Sequence, residues 1–206
     1  EAAAAIVEGG DWIVGELCGA RVRNSCGAGY KGFWNRERGF PSREFFGALD
    51  PRFAGLASKL QGEIVPPGRR VGGLTPAMAS RLGLSPGTAV AAAIIDSHSA
   101  VPAATVVEPG RMVMVMGTST CHMLLAERHA KVEGIGGVVQ DGIVEGFAGY
   151  EAGQPAVGDI FGWFAKLVGG GSEAGFPALE REAAAAPPGG HGLLAQVLLL
   201  LDDSSP

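Results

Sequence analysis

Residues 112–125 read MVMVMGTSTCHMLL. Met and Val alternate in the first part, a second apolar run ends the stretch, and Gly117, Thr118, Ser119 and Thr120 lie between them. Period-two alternation points to strand rather than helix. The stretch therefore predicts two buried strands joined by a tip of small, hydroxyl-bearing residues. Such a tip brings backbone N–H groups and hydroxyls together with no bulky side chain in the way, which suits phosphate oxygens. It is equally readable as an ordinary turn whose Thr and Ser side chains cap their own backbone.

Upstream, SPGTAVAAAIID (85–96) predicts a Pro-Gly turn into a small, apolar, buried strand ending on Asp96. EPGR (108–111) is the turn into the Met-Val strand. Downstream, GGVVQDGIVEGFAGYEAG (136–153) predicts two short strands with Asp141-Gly142 as the hairpin turn. In AVGDIFGWFAKLV (156–168), Val157, Ile160, Phe161, Phe164 and Leu167 fall on one side of an amphipathic helix. Residues 169–191 read as a Gly/Pro/Ala-rich linker. Toward the N-terminus, residues 1–19 predict a helix stopped by Gly19, and residues 20–40 a loop. PSREFFGAL predicts a short helix with Pro at its start, and LTPAMASRLGL one with Thr75 as N-cap and Pro76 at the first helical position. The change of texture places a domain boundary near residue 87.

Composition narrows the function classes. The chain has 206 residues, 47% hydrophobic and 18% charged, enough to bury a core, and its net charge is −5. No Lys/Arg cluster offers a nucleic-acid footprint, and no apolar run approaches the length of a membrane span. Three cysteines in a long chain fit a reducing compartment better than a disulfide framework. The N-terminus has no basic segment and does not read as a signal peptide; a cytoplasmic location is expected. No P-loop, G-x-S-x-G, HExxH or paired CxxC is present.

Five further positions carry candidate chemistry. Asp96, at the carboxyl end of a buried strand, is where α/β sheets bind ligands; it can accept a proton from a substrate hydroxyl or cap the helix after it. His98 has no second His at metal-ligand spacing and reads as a packing or hydrogen-bonding residue. Lys31 lies in NSCGAGYKGFW beside Tyr30 and Trp34, and is either a polyol contact or a surface lysine. Gly27 to Gly32 formally matches G-x-G-x-x-G, but neither flank is the strand or the helix of a dinucleotide fold. Glu151 and Gln154 precede the amphipathic helix, where they can hold sugar hydroxyls or cap the helix.

Taken in order, DWIVGELCGARVRNSCGAGYKGFW, FPSREFFGALDP, LSPGTAVAAAIIDSHSAVPAA, EPGRMVMVMGTSTCHMLL and GIVEGFAGYEAGQPAVGDIFGWF resemble the FGGY carbohydrate kinases, and within them the ribulokinase branch. The most specific pair is Gly-Thr-Ser-Thr-Cys-His followed by Glu-Ala-Gly-Gln. The resemblance implies an α/β, actin/hexokinase-like (ribonuclease H-like) two-domain ATPase fold. This chain would supply the end of the first, sugar-binding domain (1–87), the beginning of the second, ATP-binding domain (88–168), and a linker and divergent tail (169–206). The implied activity is ATP-dependent phosphorylation of ribulose to ribulose 5-phosphate, with Mg²⁺. The resemblance puts the catalytic base on Asp96, the ketopentose contacts on Lys31, Glu151 and Gln154, and the ATP-phosphate hairpin on Gly117, Thr118, Ser119 and Thr120. A homodimer is compatible with it.

The resemblance also has gaps. The family's N-terminal Asp-Phe-Gly-Ser/Thr turn and its C-terminal Gly-Gly-rich adenosine region have no counterpart here, so an incomplete fragment is expected, with unpaired sheet edges and exposed apolar surface. The alternatives are an FGGY kinase for another pentulose or polyol, and a non-catalytic sugar-binding remnant.

Overall fold

The computed structural model describes residues 3–169 and 175–192. These form two compact units. One takes the described residues up to Val115 together with Cys121–Gly153; the other takes Met116–Thr120 and the described residues from Gln154 onward.

The first unit opens with helix α1 (Gly9–Cys18), which Gly19 ends in the left-handed conformation at φ 76°. The stop is the expected one, but residues 3–8 are not helical and residues 1 and 2 lie outside the described residues. Chain 20–40 is not all loop. It holds strand β1 (Val22–Asn24) and helix α2 (Ser25–Tyr30). Composition hid α2 because half of SCGAGY is Gly or Ser; what holds it is its start. Asn24 Oδ1 accepts from Gly27 N at 2.6 Å, while buried Asp11 Oδ1 accepts from Asn24 N and Nδ2 at 2.9 and 2.7 Å. A cap tied to a second, buried carboxylate fixes a helix whose propensity is poor.

Helices α3 (Arg43–Leu49) and α4 (Leu56–Lys59) follow, with Ser42 rather than Pro41 capping α3. Strand β2 (Glu63–Val65) pairs parallel with β1, and β3 (Arg70–Gly73) pairs antiparallel with β4 (Ala89–Ala91). Between β3 and β4 lies α5 (Pro76–Leu82), capped by Thr75 and ended by Gly83 as the sequence predicts. The expected boundary near residue 87 thus falls in the turn before β4, inside the first unit. Asp96 does not end β4. That strand stops at Ala91, and Asp96 is the first residue of helix α6 (Asp96–Ala103), with Ile95 at the cap.

The main sheet has four strands in the order β5 (Met112–Met116), β6 (Thr120–Ala126), β8 (Ala148–Gln154), β7 (Gly137–Gln140). β7 and β8 are antiparallel, with Gly137 opposite Glu151 and Val139 opposite Gly149. Their connection is wider than an Asp-Gly hairpin turn: it runs from Asp141 to Phe147, and Asp141 adopts φ 57°. The expectation of two buried strands holds for β6 and fails for β5. Met123 and Leu125 of β6 are buried with Val101, Val106 and Ile143, and Val113 and Val115 pack against that cluster. Met112, Met114 and Met116 face outward along an edge strand. The alternating pattern is that of a strand buried on one face only.

In the second unit, helix α7 (Gly158–Val168) buries only Ala165. Its Phe161, Trp163, Phe164 and Leu167 are exposed, as expected of a piece of a larger core. The expected linker contains a helix, α8 (Phe176–Ala185), with Pro177 in its first turn; residues 170–174 and 193–206 lie outside the described residues. No described helix is long and apolar enough to cross a membrane.

The two faces of the hairpin differ in energetic weight. Met123→Ala is expected to cost about 2–5 kcal/mol, because a fully buried side chain leaves a cavity. Met114→Gln on the outer face of β5 is expected to stay within about 0.5 kcal/mol. Urea unfolding of the two variants beside the parent checks both.

Candidate active site

Lys31, Asp96 and Glu151 all belong to the first unit. Lys31 caps the C-terminal end of α2. Its Nζ lies 3.4 Å from Glu8 Oε2, both side chains well exposed. A surface pair of this kind contributes little, about 0–1 kcal/mol, so the ammonium can change partners at small cost. Asp96 is exposed at the start of α6. Its Oδ1 accepts from Ser97 N at 2.8 Å, which leaves Oδ2 without a partner among the described residues. Glu151 sits on β8, partly buried, with Oε2 3.4 Å from Nε2 of His98.

The thiols of Cys26 and Cys121 lie within electrostatic reach of these charges. Burial pushes the Cys26 thiol up to about 12, the Ile95 backbone opposes this, and of the charges that act on it Glu151 raises and Lys31 lowers it. Burial also raises Cys121, and both Glu151 and Asp96 raise it further. Glu151 itself is held below the usual carboxylate range, first by its contact with His98, against the opposing effect of burial; the Cys121 thiol adds to the lowering. Tyr30 is raised above the usual phenol value, mainly by burial.

What aligns α2 with β8 is Tyr30. Its hydroxyl donates to Gly149 O at 2.8 Å, and its ring meets that of His98 at a centroid distance of 4.4 Å. The ring fits only because the strands beneath it carry glycine. A Cβ at Gly137 would come within 2.7 Å of the ring, and one at Gly149 within 2.6 Å of the hydroxyl. His98 is 1% exposed, in keeping with the packing and hydrogen-bonding reading. The pattern Gly137, Gly149 opposite an aromatic residue is legible in the sequence only once the β7–β8 register is known.

Gln154 and the tip residues Gly117, Thr118, Ser119 and Thr120 belong to the second unit. Gly117, Thr118 and Ser119 are exposed; Thr120 is buried, its Oγ1 without a hydrogen-bond partner. The tip is fastened to the start of α7: Val157 N donates to Thr118 O at 2.6 Å and Gly158 N to Gly117 O at 3.1 Å. Gly158 allows this approach, since a Cβ there would meet Gly117 O at 2.8 Å. The Thr118 and Ser119 hydroxyls make no hydrogen bond among the described residues. Neither caps the tip's own backbone; within the tip, Gly117 N donates to Ser119 O at 2.8 Å. Gln154 is exposed at the end of β8.

Residues 112–196 match the model of the C-terminal domain of the FGGY family of carbohydrate kinases. A ribulokinase of Shouchella clausii is 56% identical over 205 residues, covering 95% of this chain and 36% of that protein. The chain belongs to the FGGY carbohydrate kinases. A ribulokinase of Geobacillus thermodenitrificans is 52% identical over 206 residues, with 35% of its length covered; the FGGY chain thus spans about a third of these relatives. Among solved structures, a xylulose kinase from Rhodospirillum rubrum superposes with TM-score 0.76 at 23% identity, over 91% of this chain and 37% of that one. A ligand-bound xylulose kinase from Lactobacillus acidophilus gives 0.72 at 15% identity, over 93% and 38%. These two establish the FGGY kinase fold, of which this chain holds a part.

The depressed Glu151 sets a pH dependence. Its folded value lies below the ordinary 4.5, so its contribution to stability is present above that value and lost as pH falls through the folded one. Glu151→Gln is expected to flatten the acid limb of the stability profile below about pH 4.5 and leave the neutral region less changed. Thermal melts of both proteins from pH 7 down to pH 3 test this.

Proposed function

We propose that this chain carries the sugar contacts and part of the phosphate contacts of an ATP-dependent ketopentose kinase that converts ribulose to ribulose 5-phosphate. The observation that carries the reading is geometric: Glu151 lies beside His98, His98 packs on Tyr30, Lys31 follows Tyr30 in the chain, and Asp96 opens the helix that holds His98. The identity to ribulokinases over nearly the whole chain supports the choice of sugar.

Lys31 donates to sugar hydroxyls and Glu151 accepts from them, a pairing suited to a polyol with several donors and acceptors. Asp96 Oδ2 accepts the proton of the terminal hydroxyl. The sugar hydroxyl oxygen attacks the γ-phosphorus of ATP in line, the bond from the γ-phosphorus to the β–γ bridging oxygen breaks, and ADP leaves. General-base help of this kind contributes about 10²–10⁴ in rate; positioning supplies much of the rest. Gly117, Thr118 and Ser119 offer backbone groups and unpartnered hydroxyls to the phosphates, with buried Thr120 completing the tip and Gln154 adding a sugar contact. Among the described residues no group of three or more His, Cys, Asp or Glu could hold a metal ion. In this reading Mg²⁺ enters as part of the Mg·ATP substrate. Residues 1–87 close the sugar-binding domain, residues 88–168 open the ATP-binding one, and the enzyme works in the cytoplasm.

An ADP-release assay on the full-length enzyme with Mg·ATP tests the reading, with L-ribulose, D-ribulose and D-xylulose compared. Asp96→Asn is expected to lower kcat about 10²–10⁴-fold while the sugar KM stays within about threefold. Full turnover by Asp96→Asn would remove the base from Asp96. Turnover of D-xylulose alone would move the substrate to another pentulose.

A further inference from the structure

We propose that His98 is a positioning residue for Glu151, fixing from the buried face of α6 the carboxylate that meets the sugar. The inference rests on the sugar-site reading above. It makes α6 serve twice: its first residue presents the base, and two residues on its histidine orients the carboxylate on β8.

His98 is among the largest fully buried side chains of the protein, and it is polar. A buried imidazole needs a partner for each ring nitrogen. Nδ1 has Ser97 Oγ at 3.3 Å. Nε2 has no aligned hydrogen bond; the atom it faces is Glu151 Oε2, at 3.4 Å. With Ser97 Oγ–H donating to Nδ1, the ring proton sits on Nε2 and points toward the carboxylate. Site hydrogen bonds are often long before substrate arrives and tighten in the complex.

The surroundings leave the ring little freedom. Tyr30 lies against it at a tilt of 44°, and the same Tyr30 is bonded to Gly149 O, on the strand that carries Glu151. Ring plane and strand are therefore referenced to one side chain. A histidine serving only to fill space would not need its free nitrogen aimed at the one partly exposed carboxylate of β8. Glu151 has the Cys121 thiol as a further neighbour, but a thiol is a weak donor and leaves the orienting role to the imidazole.

The test uses the full-length enzyme with ribulose and Mg·ATP. His98→Leu is expected to raise the sugar KM about tenfold or more, as loss of a hydrogen bond to a charged group does. The ATP KM should stay within about twofold. His98→Gln can place an amide nitrogen near Nε2, and should return the sugar KM to within about threefold of the parent. His98→Asn reaches only the Ser97 side and should behave like His98→Leu. If His98→Leu does not fold, the contrast between His98→Gln and His98→Asn, read at matched melting temperatures, decides. An unchanged sugar KM in folded His98→Leu, or equal behaviour of the Gln and Asn variants, overturns the positioning role. Glu151→Gln separates the two readings. If it raises the sugar KM while the His98 variants do not, only the positioning role falls; if it leaves the sugar KM unchanged, the sugar-site reading falls with it.

Discussion

The Tyr30 ring occupies a space that glycine leaves open, and the packing of α2, α6 and β8 is organised around that fit. Gly137 and Gly149, on paired strands, would each drive a Cβ into it. The tyrosine hydroxyl satisfies a strand carbonyl, its ring packs on His98, and its neighbour in sequence is Lys31. One aromatic side chain thus packs between the end of α2, where Lys31 follows it, the helix that begins with Asp96, and the strand that carries Glu151. Interiors are close-packed, so such a reference point transmits small shifts rather than absorbing them.

Support for Tyr30 comes from the polar ties at the start of its own helix. Asp11 holds Asn24, Asn24 caps α2, and Ser25 Oγ donates to Asp141 O in the β7–β8 connection. The same Asp141 pairs with Arg36 at 2.6 Å and accepts from Gly146 N. A six-residue helix rich in glycine would not persist by propensity. It persists because both its start and its packed face are pinned by groups distant in sequence. In the second unit the hairpin tip obtains its shape differently, by backbone hydrogen bonds to the start of α7 through a position that only glycine leaves open.

The legible parts of the sequence were those where local chemistry decides. Thr75-Pro76 and Gly83 bracket α5, Gly19 ends α1, and MVMVM forms a strand, because caps, glycine stops and period-two alternation act within a few residues. The illegible parts were set from afar. The helix at 25–30 depends on Asp11, the outward methionines of β5 depend on the strand having one covered face, and Asp96 opens a helix because β4 stops early. Helix α8 was hidden in an Ala- and Gly-rich stretch that reads as linker. Asp96, Lys31 and Glu151 could be singled out in advance as candidates only. That Cys26, Cys121 and His98 lie among them could not, since nothing in the spacing of those residues states the β6–β8 and α2–β7 neighbours.

The most direct measurement is a crystal structure of the protein with ribulose and a non-hydrolysable ATP analogue. Lys31 Nζ and a Glu151 carboxylate oxygen are expected within hydrogen-bond distance of sugar hydroxyls, Asp96 Oδ2 at the terminal hydroxyl, and the γ-phosphate against Gly117, Thr118 and Ser119. A sugar bound away from Glu151 and Lys31, or an Asp96 carboxylate turned from the terminal hydroxyl, would contradict the assembly of the site around Tyr30.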